Sequence, residues 1–240
     1  MGRPYACDRP TALDRYAPER HAVDRWYFVI SGFTQTLSTP SGCQQLWHCL
    51  DRERHHARAK AMLWPWNADW RGVAELVWRF RPFDRRPRVY TFAYSWGGGH
   101  GMPRFADELA RRGIDIDHAV LCDAVYRAPL RALDFLSLTN WPRPRIVVPR
   151  NVRQVDWFFQ RADHWYNPRG HEPVAAAGAQ TVIHPGQELF AAHHYMDDQP
   201  EWWQKCLDVA AHPEHAAGQA RTAECDMEVA VLPLHAGVTH

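Results

Sequence analysis

The chain alternates between short apolar runs and amphipathic stretches. "WYFVISGF", Trp26 to Phe33, is an apolar run closed by a glycine, the signature of a buried strand and a turn. In "SGCQQLWHCLDRERHHARA", Leu46, Trp47 and Leu50 recur at helical spacing, and "KAMLWPW" is a second apolar run that stops at Pro65. "DWRGVAELVWRF" places Val73, Leu76, Val77 and Phe80 on one helical face, with Asp69 as N-cap and Pro82 just past the end. "RVYTFAYS" is a third strand, rich in aromatic and β-branched residues, "RFADELARRG" a helix closed by Gly113, and "DHAVLCDAV" a fourth strand. Strand and helix in strict alternation predict an α/β fold: a mostly parallel central sheet with helices on both faces.

Beyond the fourth strand the pattern loosens. "YRAPLRALDFLSLTNWPRPR" has too many prolines for one helix and is expected to cross the top of the sheet as an excursion between Tyr126 and Arg145. "IVVPRNVRQVDWFFQ" and "AQTVIHPG" supply two further strand candidates, and "PEWWQKCLDVAAH" a final helix in which only one of Trp202 and Trp203 is expected to be buried. Residues 1–24 read as an irregular leader, 25–212 as the globular domain and 213–240 as a loosely ordered tail.

Composition narrows the classes of function. At 240 residues with 46% hydrophobic side chains and 12 tryptophans, the chain suits one domain with one substantial core. A formal charge of +1 gives no global reason to expect nucleic acid or an anionic membrane as partner. The six cysteines form no CxxC pair and the N-terminus has no apolar signal core, so a reduced cytoplasm is the expected setting. No apolar stretch is long enough to span a membrane.

The segment "YSWGGGHG" carries the candidate chemistry. A strand feeding a small-residue turn and then a helix suits a dinucleotide cradle, with Gly97, Gly99 and Gly101 at a pyrophosphate and Asp123 at a ribose. It equally suits a nucleophile elbow, in which Ser95 sits on a strained turn and Ala93 and Gly97, two before and two after, relieve the crowding. A dinucleotide fingerprint usually occupies the first βα turn of its domain, whereas this turn follows two strand–helix units, where an elbow serine belongs. The elbow needs a base, an orienting carboxylate and two backbone donors for an oxyanion. Asp123 ends the next apolar strand, His193 and His194 follow the last one, and Trp96 with Phe33 or Thr34 supplies the donors.

At these residues the chain resembles the α/β-hydrolase superfamily, over roughly Trp26 to His212. "VISGF" is similar to the strand and oxyanion turn of lipase-like and esterase-like members, "FAYSWGGG" to the elbow, "AVLCDAV" to an acid-bearing strand and "HHYMDDQP" to a terminal histidine loop. In members with this outline the histidine precedes a short xx(I/M)D segment, which maps onto His193 through Asp197 and nominates His193 ahead of His194. The superfamily often carries its acid one strand later, which keeps Asp163 beside Asp123 as an alternative. The resemblance implies a trimmed version of the fold, a serine hydrolase acting on an ester or thioester through an acyl-enzyme, a small or lipid-like acyl substrate, and no cofactor. Fold resemblance also admits non-catalytic interaction proteins. Two departures stand out: Ala93 where glycine is usual, and Pro103, which would lie inside a helix starting at Gly97. The helix is therefore expected to begin in a distorted turn, with Gly99 and Gly101 as slack.

Each feature also has a plainer explanation. Ser95 could be a turn serine, Asp123 a partner of Arg127, and His193 and His194 two loop residues in a chain with fifteen histidines. Trp64, Trp66 and Trp70 suit core packing, although one could line an acyl pocket. His55 and His56 are adjacent, and HHxxD lacks the HExxH spacing, so no metal is expected.

Overall fold

The computed structural model describes residues 22–33, 35, 40–52, 58–126, 145–161 and 170–211. Most of the expected leader, Thr34, the pair His55 and His56, most of the excursion after Tyr126, Asp163 and the expected tail lie outside the described residues.

The central sheet is assembled from strands β1 (Arg25–Ser31), β2 (Ala59–Pro65), β3 (Arg88–Tyr94), β4 (His118–Cys122), β6 (Gln154–Phe159), β8 (Val182–Ile183) and β9 (Gln187–Glu188), with β5 (Ile146–Val148) and β7 (Pro173–Ala175) standing apart. Its order is β2-β1-β3-β4-β6, with β8 and then β9 on the outer side of β6, and every pairing is parallel. The architecture is the one expected from the sequence: parallel strands with helices on both faces. Period-two alternation sorts side chains between the layers. Trp26, Phe28 and Ile30 of β1 join α2 (Trp70–Arg79) and α3 (Met102–Ala110), while Tyr27 and Val29 face α1 (Gly42–Arg52) and α4 (Pro200–Ala211). Asp69 caps α2 by accepting from the Gly72 N–H at 3.2 Å, as the sequence suggested.

Strand order reverses between β1 and β3, so the helices that follow them pack on opposite faces of the sheet. Ser95 directly follows β3, the turn Gly32–Phe33 directly follows β1, and Asp123 directly follows β4. The candidate residues thus share one edge of the sheet.

Three details depart from the sequence expectations. "IVVPRNVRQVDWFFQ" is not one strand: it is interrupted at Pro149, β5 leaves to pair with β7, and only β6 enters the main sheet. Pro103 is accommodated by the distorted helix start that the sequence led one to expect, although its form, a π-helical turn, was not foreseen. Gly97–Gly101 forms a π-helical turn, α3 begins at Met102, and Pro103 occupies its first turn, where an absent N–H costs nothing. The glycines are also not slack. A methyl group on Gly97 would run into the Ile30 carbonyl, and one on Gly99 into the Val125 carbonyl. One on Gly101 would crowd Ile30, Trp66 and Trp70 at 3.0–3.1 Å. They let the turn lie directly on its neighbours' backbone. Of the tryptophan pair, Trp202 is fully buried and Trp203 partly so.

The sheet face beneath α4 also holds an ionic cluster that the sequence did not signal. His118 Nε2 lies 2.6 Å from Asp156 Oδ2, and Lys205 Nζ lies 3.1 Å from the same oxygen. Burial by itself would push the Asp156 carboxyl up, but the His118 and Lys205 partners hold it below its ordinary value.

Two stability measurements test this packing. Gly99→Ala is expected to lower the unfolding free energy by about 1–3 kcal/mol or more, because backbone rather than a flexible side chain opposes the methyl group. Asp156→Ala is expected to cost about 1–3 kcal/mol at neutral pH by leaving the buried His118 ring without its hydrogen-bond partner. Since the folded carboxyl is held below its unfolded value, its stabilisation is complete above the unfolded value and fades as pH falls through the folded one. Denaturant titrations of the two proteins should therefore converge below the usual carboxylate range.

Candidate active site

The turn after β3 begins with Ser95 at φ 52°, in the left-handed region that residues with a Cβ rarely adopt. Backbone hydrogen bonds hold it there. The Ser95 N–H donates to the Cys122 carbonyl at 3.0 Å, and the Ser95 carbonyl accepts from Gly98 N and Gly99 N at 3.1 Å and Val125 N at 3.0 Å. The residue is 6% exposed. Gly32 is pressed against it: a Cβ there would lie 3.0 Å from Ser95 Cβ.

Asp123 is the other non-glycine residue with positive φ, 41°, among the described residues, and it is fully buried. Its N–H donates to the Phe158 carbonyl at 2.8 Å, which fixes the chain just beyond β4. Oδ1 accepts from Gly170 N at 2.7 Å and Gln160 N at 3.3 Å; Oδ2 accepts from Gln160 Nε2 at 3.2 Å. Gly170 leaves room for this contact, since a methyl group there would collide with Oδ1. Its neighbour His171 is anchored too, donating its N–H to the Ala124 carbonyl at 2.7 Å and accepting the Tyr126 N–H on Nδ1 at 2.9 Å.

His193 opens a 3₁₀ turn, His193–Asp198, that precedes α4. Tyr94 Oη donates to its carbonyl at 2.6 Å, and the two rings stack with centroids 5.2 Å apart. Cys122 Sγ donates to the Met196 carbonyl at 3.2 Å, and burial pushes both that thiol and the Tyr94 hydroxyl up, so each is a protonated donor. So placed, His193 Nδ1 lies 2.6 Å from Asp123 Oδ2 and Nε2 lies 2.9 Å from Ser95 Oγ. A carboxylate can only accept, so Nδ1 carries the proton toward Asp123. Nε2 is then the free acceptor, facing the serine hydroxyl. The arrangement can take a proton from Oγ, hold it on an imidazolium beside a carboxylate, and return it.

Of the residues nominated by the sequence, Ser95, His193 and Asp123 therefore lie in one hydrogen-bonded chain. His194 is exposed with its ring 4.0 Å from that of Tyr195, outside the chain. Phe33 and Trp96 flank the serine, their ring centroids 4.3 Å apart and Trp66 completing the cluster at 6.0 and 4.9 Å. Phe33 is 60% exposed and Trp96 is buried.

Sequence reasoning missed Gln160, Gly170 and Tyr94, which hold these groups, and named Asp197 only as the end of the xx(I/M)D segment. Asp197, almost fully buried, accepts the Cys43 N–H at 3.1 Å and the Gln35 side-chain amide. Burial pushes its carboxyl up, with Asp198 adding to the effect and both donors opposing it. The xx(I/M)D pattern was the one available signal. Nothing local marks Gly170 or Gln160, which reach Asp123 across 47 and 37 residues.

The dinucleotide reading fits poorly. The α-carbons of Gly97, Gly98 and Gly99 face Ile30, Ala124 and Val125, and Asp123 is surrounded by protein donors. Among the described residues no three His, Cys, Asp or Glu side chains converge as a metal site, and no helix is long and apolar enough to cross a membrane.

No protein-family model matches the sequence, and no curated protein matches it. Among solved structures, the chain is similar to the RedJ thioesterase of the prodiginine biosynthetic pathway in Streptomyces coelicolor, with 12% identity, a TM-score of 0.41, and coverage of 88% of this chain and 96% of that one. RedJ with a PEG molecule bound in its active site gives 15% identity and the same TM-score, covering 82% and 92%. The Vlm2 thioesterase domain bound with a dodecadepsipeptide gives 12% and 0.38, covering 80% and 94%.

Proposed function

We propose that the protein is a serine hydrolase that cleaves a carboxylic ester or thioester through an acyl-enzyme. The observation that carries this reading is the continuous chain from Ser95 Oγ through His193 to Asp123 at the carboxyl edge of a parallel sheet.

Ser95 Oγ attacks the substrate carbonyl carbon as its proton passes to His193 Nε2, and the carbonyl electron pair moves onto oxygen. Asp123 keeps the Nδ1 proton in place and stabilises the imidazolium. The oxyanion is received by the Trp96 N–H and one from the turn after β1, at Phe33 or Thr34. Collapse of the intermediate breaks the bond to the leaving oxygen or sulfur, which takes the proton from Nε2. Water then repeats the sequence, His193 taking its proton, and releases the acid with Ser95 restored. The strained conformations of Ser95 and Asp123 support this reading, since such backbone persists where the surroundings impose it. The half-exposed Phe33 against Trp96 and Trp66 offers apolar surface beside the serine and suits an apolar acyl or alcohol group.

Ser95→Ala is expected to leave thermal stability intact and to reduce hydrolysis of short-chain p-nitrophenyl esters and acyl thioesters roughly 10⁴-fold or more. Asp123→Asn should lose about 10⁴-fold in kcat by presenting the wrong tautomer of His193. A fluorophosphonate probe should label Ser95 in the parent protein and not in Ser95→Ala. Unaltered hydrolysis by Ser95→Ala, or an unlabelled parent, would exclude the mechanism.

A further inference from the structure

Asp197 touches none of the three reacting groups, yet it is buried to 1% exposure and lies in the turn that carries His193. Its Oδ2 receives the Gln35 side-chain amide, and Gln35 Oε1 in turn accepts the Gly32 N–H at 3.1 Å. The histidine turn is thereby joined to the turn after β1, a separation of 162 residues in sequence. α1 closes the other side of the carboxylate: Cys43 N donates to Oδ2 at 3.1 Å, and Gly42 sits so close to the Asp197 carbonyl that a methyl group would strike it. Trp203 Nε1 donates to the same carbonyl at 2.5 Å.

The direction of the link follows from chemistry. A carboxylate has no proton to donate, so Gln35 must turn its NH₂ toward Asp197 and its carbonyl oxygen away, toward Gly32. The end of Gln35 that faces the backbone is therefore an acceptor, and it pins the peptide N–H immediately before Phe33. That peptide lies against Ser95, with a hypothetical Gly32 Cβ 3.0 Å from Ser95 Cβ.

Resting on the hydrolase reading, we infer that Asp197 and Gln35 are positioning residues that fix the oxyanion turn relative to the His193 turn, so that donor and base are set by one buried carboxylate. Displacing a catalytic donor by a fraction of an ångström weakens transition-state stabilisation while leaving substrate binding little changed.

The test uses Gln35→Leu, Asp197→Asn and the double variant, with turnover normalised to sites titratable by fluorophosphonate. Gln35→Leu removes both ends of the link at a partly exposed position. Asp197→Asn permits Gln35 to reverse, which would set NH₂ against the Gly32 N–H. Each single variant is expected to lower kcat by roughly 10- to 100-fold with KM nearly constant. The double variant should lose no more than the worse single, because both changes cut the same link. In Gln35→Leu, a p-nitrophenyl ester and an alkyl ester of the same acid should slow by equal factors, since the oxyanion of either one is received by the same donors. A loss confined to the alkyl ester would locate the defect in protonation of the leaving group and overturn the inference. Additive losses, or full kcat in folded Gln35→Leu with only a lowered Tm, would also overturn it. Should Asp197→Asn fail to fold, Gln35→Leu alone decides through kcat and the ester pair. An inactive, unlabelled parent would instead overturn the hydrolase reading itself, whereas an active parent with a fully active Gln35→Leu overturns only the link.

Discussion

The carbonyl of Ser95 holds the candidate site together. It accepts from Gly98, Gly99 and Val125 while the Ser95 backbone is held in the left-handed region. Two of those donors start the π-helical turn that leads into α3, and the third belongs to the loop after β4 that carries Asp123. One oxygen thus ties the serine's conformation to the strand that positions the acid. The glycine requirement follows. For the carbonyl to be shared so widely, the turn must come within contact distance of the Ile30 and Val125 backbones, which Gly97 and Gly99 permit. The cost of holding a serine at positive φ, on the order of 1–3 kcal/mol, is offset by the backbone hydrogen bonds that its N–H and carbonyl make there.

Asp123 is subject to the same logic in a different form. A fully buried carboxylate is tolerable only when its lone pairs are occupied, and here Gly170, Gln160 and His193 occupy them. Saturation leaves the side chain no alternative orientation, and that orientation in turn selects the tautomer of His193. The charge is immobile before any substrate arrives.

Much of this could be read in the sequence because it depends on local periodicity. β1 to β4 are apolar runs with helices of clear amphipathic spacing between them, and such patterns fix a doubly wound order with few alternatives. Ser95 was legible from its place after the third strand, and the pair His193 and His194 from its place after the last, with the xx(I/M)D resemblance favouring His193. What escaped notice is non-local or weakly patterned. β7 is three residues long and β9 two, too short for alternation to register, while β5 and β8 were nominated only as parts of longer runs. Gly170 and Gln160 matter only because a carboxylate 37 or more residues away needs donors. The run "WGGGHG" was visible, but whether its glycines provide freedom or proximity depends on what lies against them, and that is a property of the assembled sheet.

The outer side of β6 is covered in two short pieces, β8 and β9, with Pro185 and Gly186 between them. Gly186 passes so close to the Trp157 indole that no side chain would fit there, and Trp157 Nε1 donates to the His184 carbonyl at 3.1 Å. A sheet boundary built this way offers an incoming chain no long uninterrupted row of backbone donors and acceptors, which is what edge-to-edge association of parallel sheets requires. The break at Pro185 and Gly186 thus keeps this boundary of the sheet short and irregular.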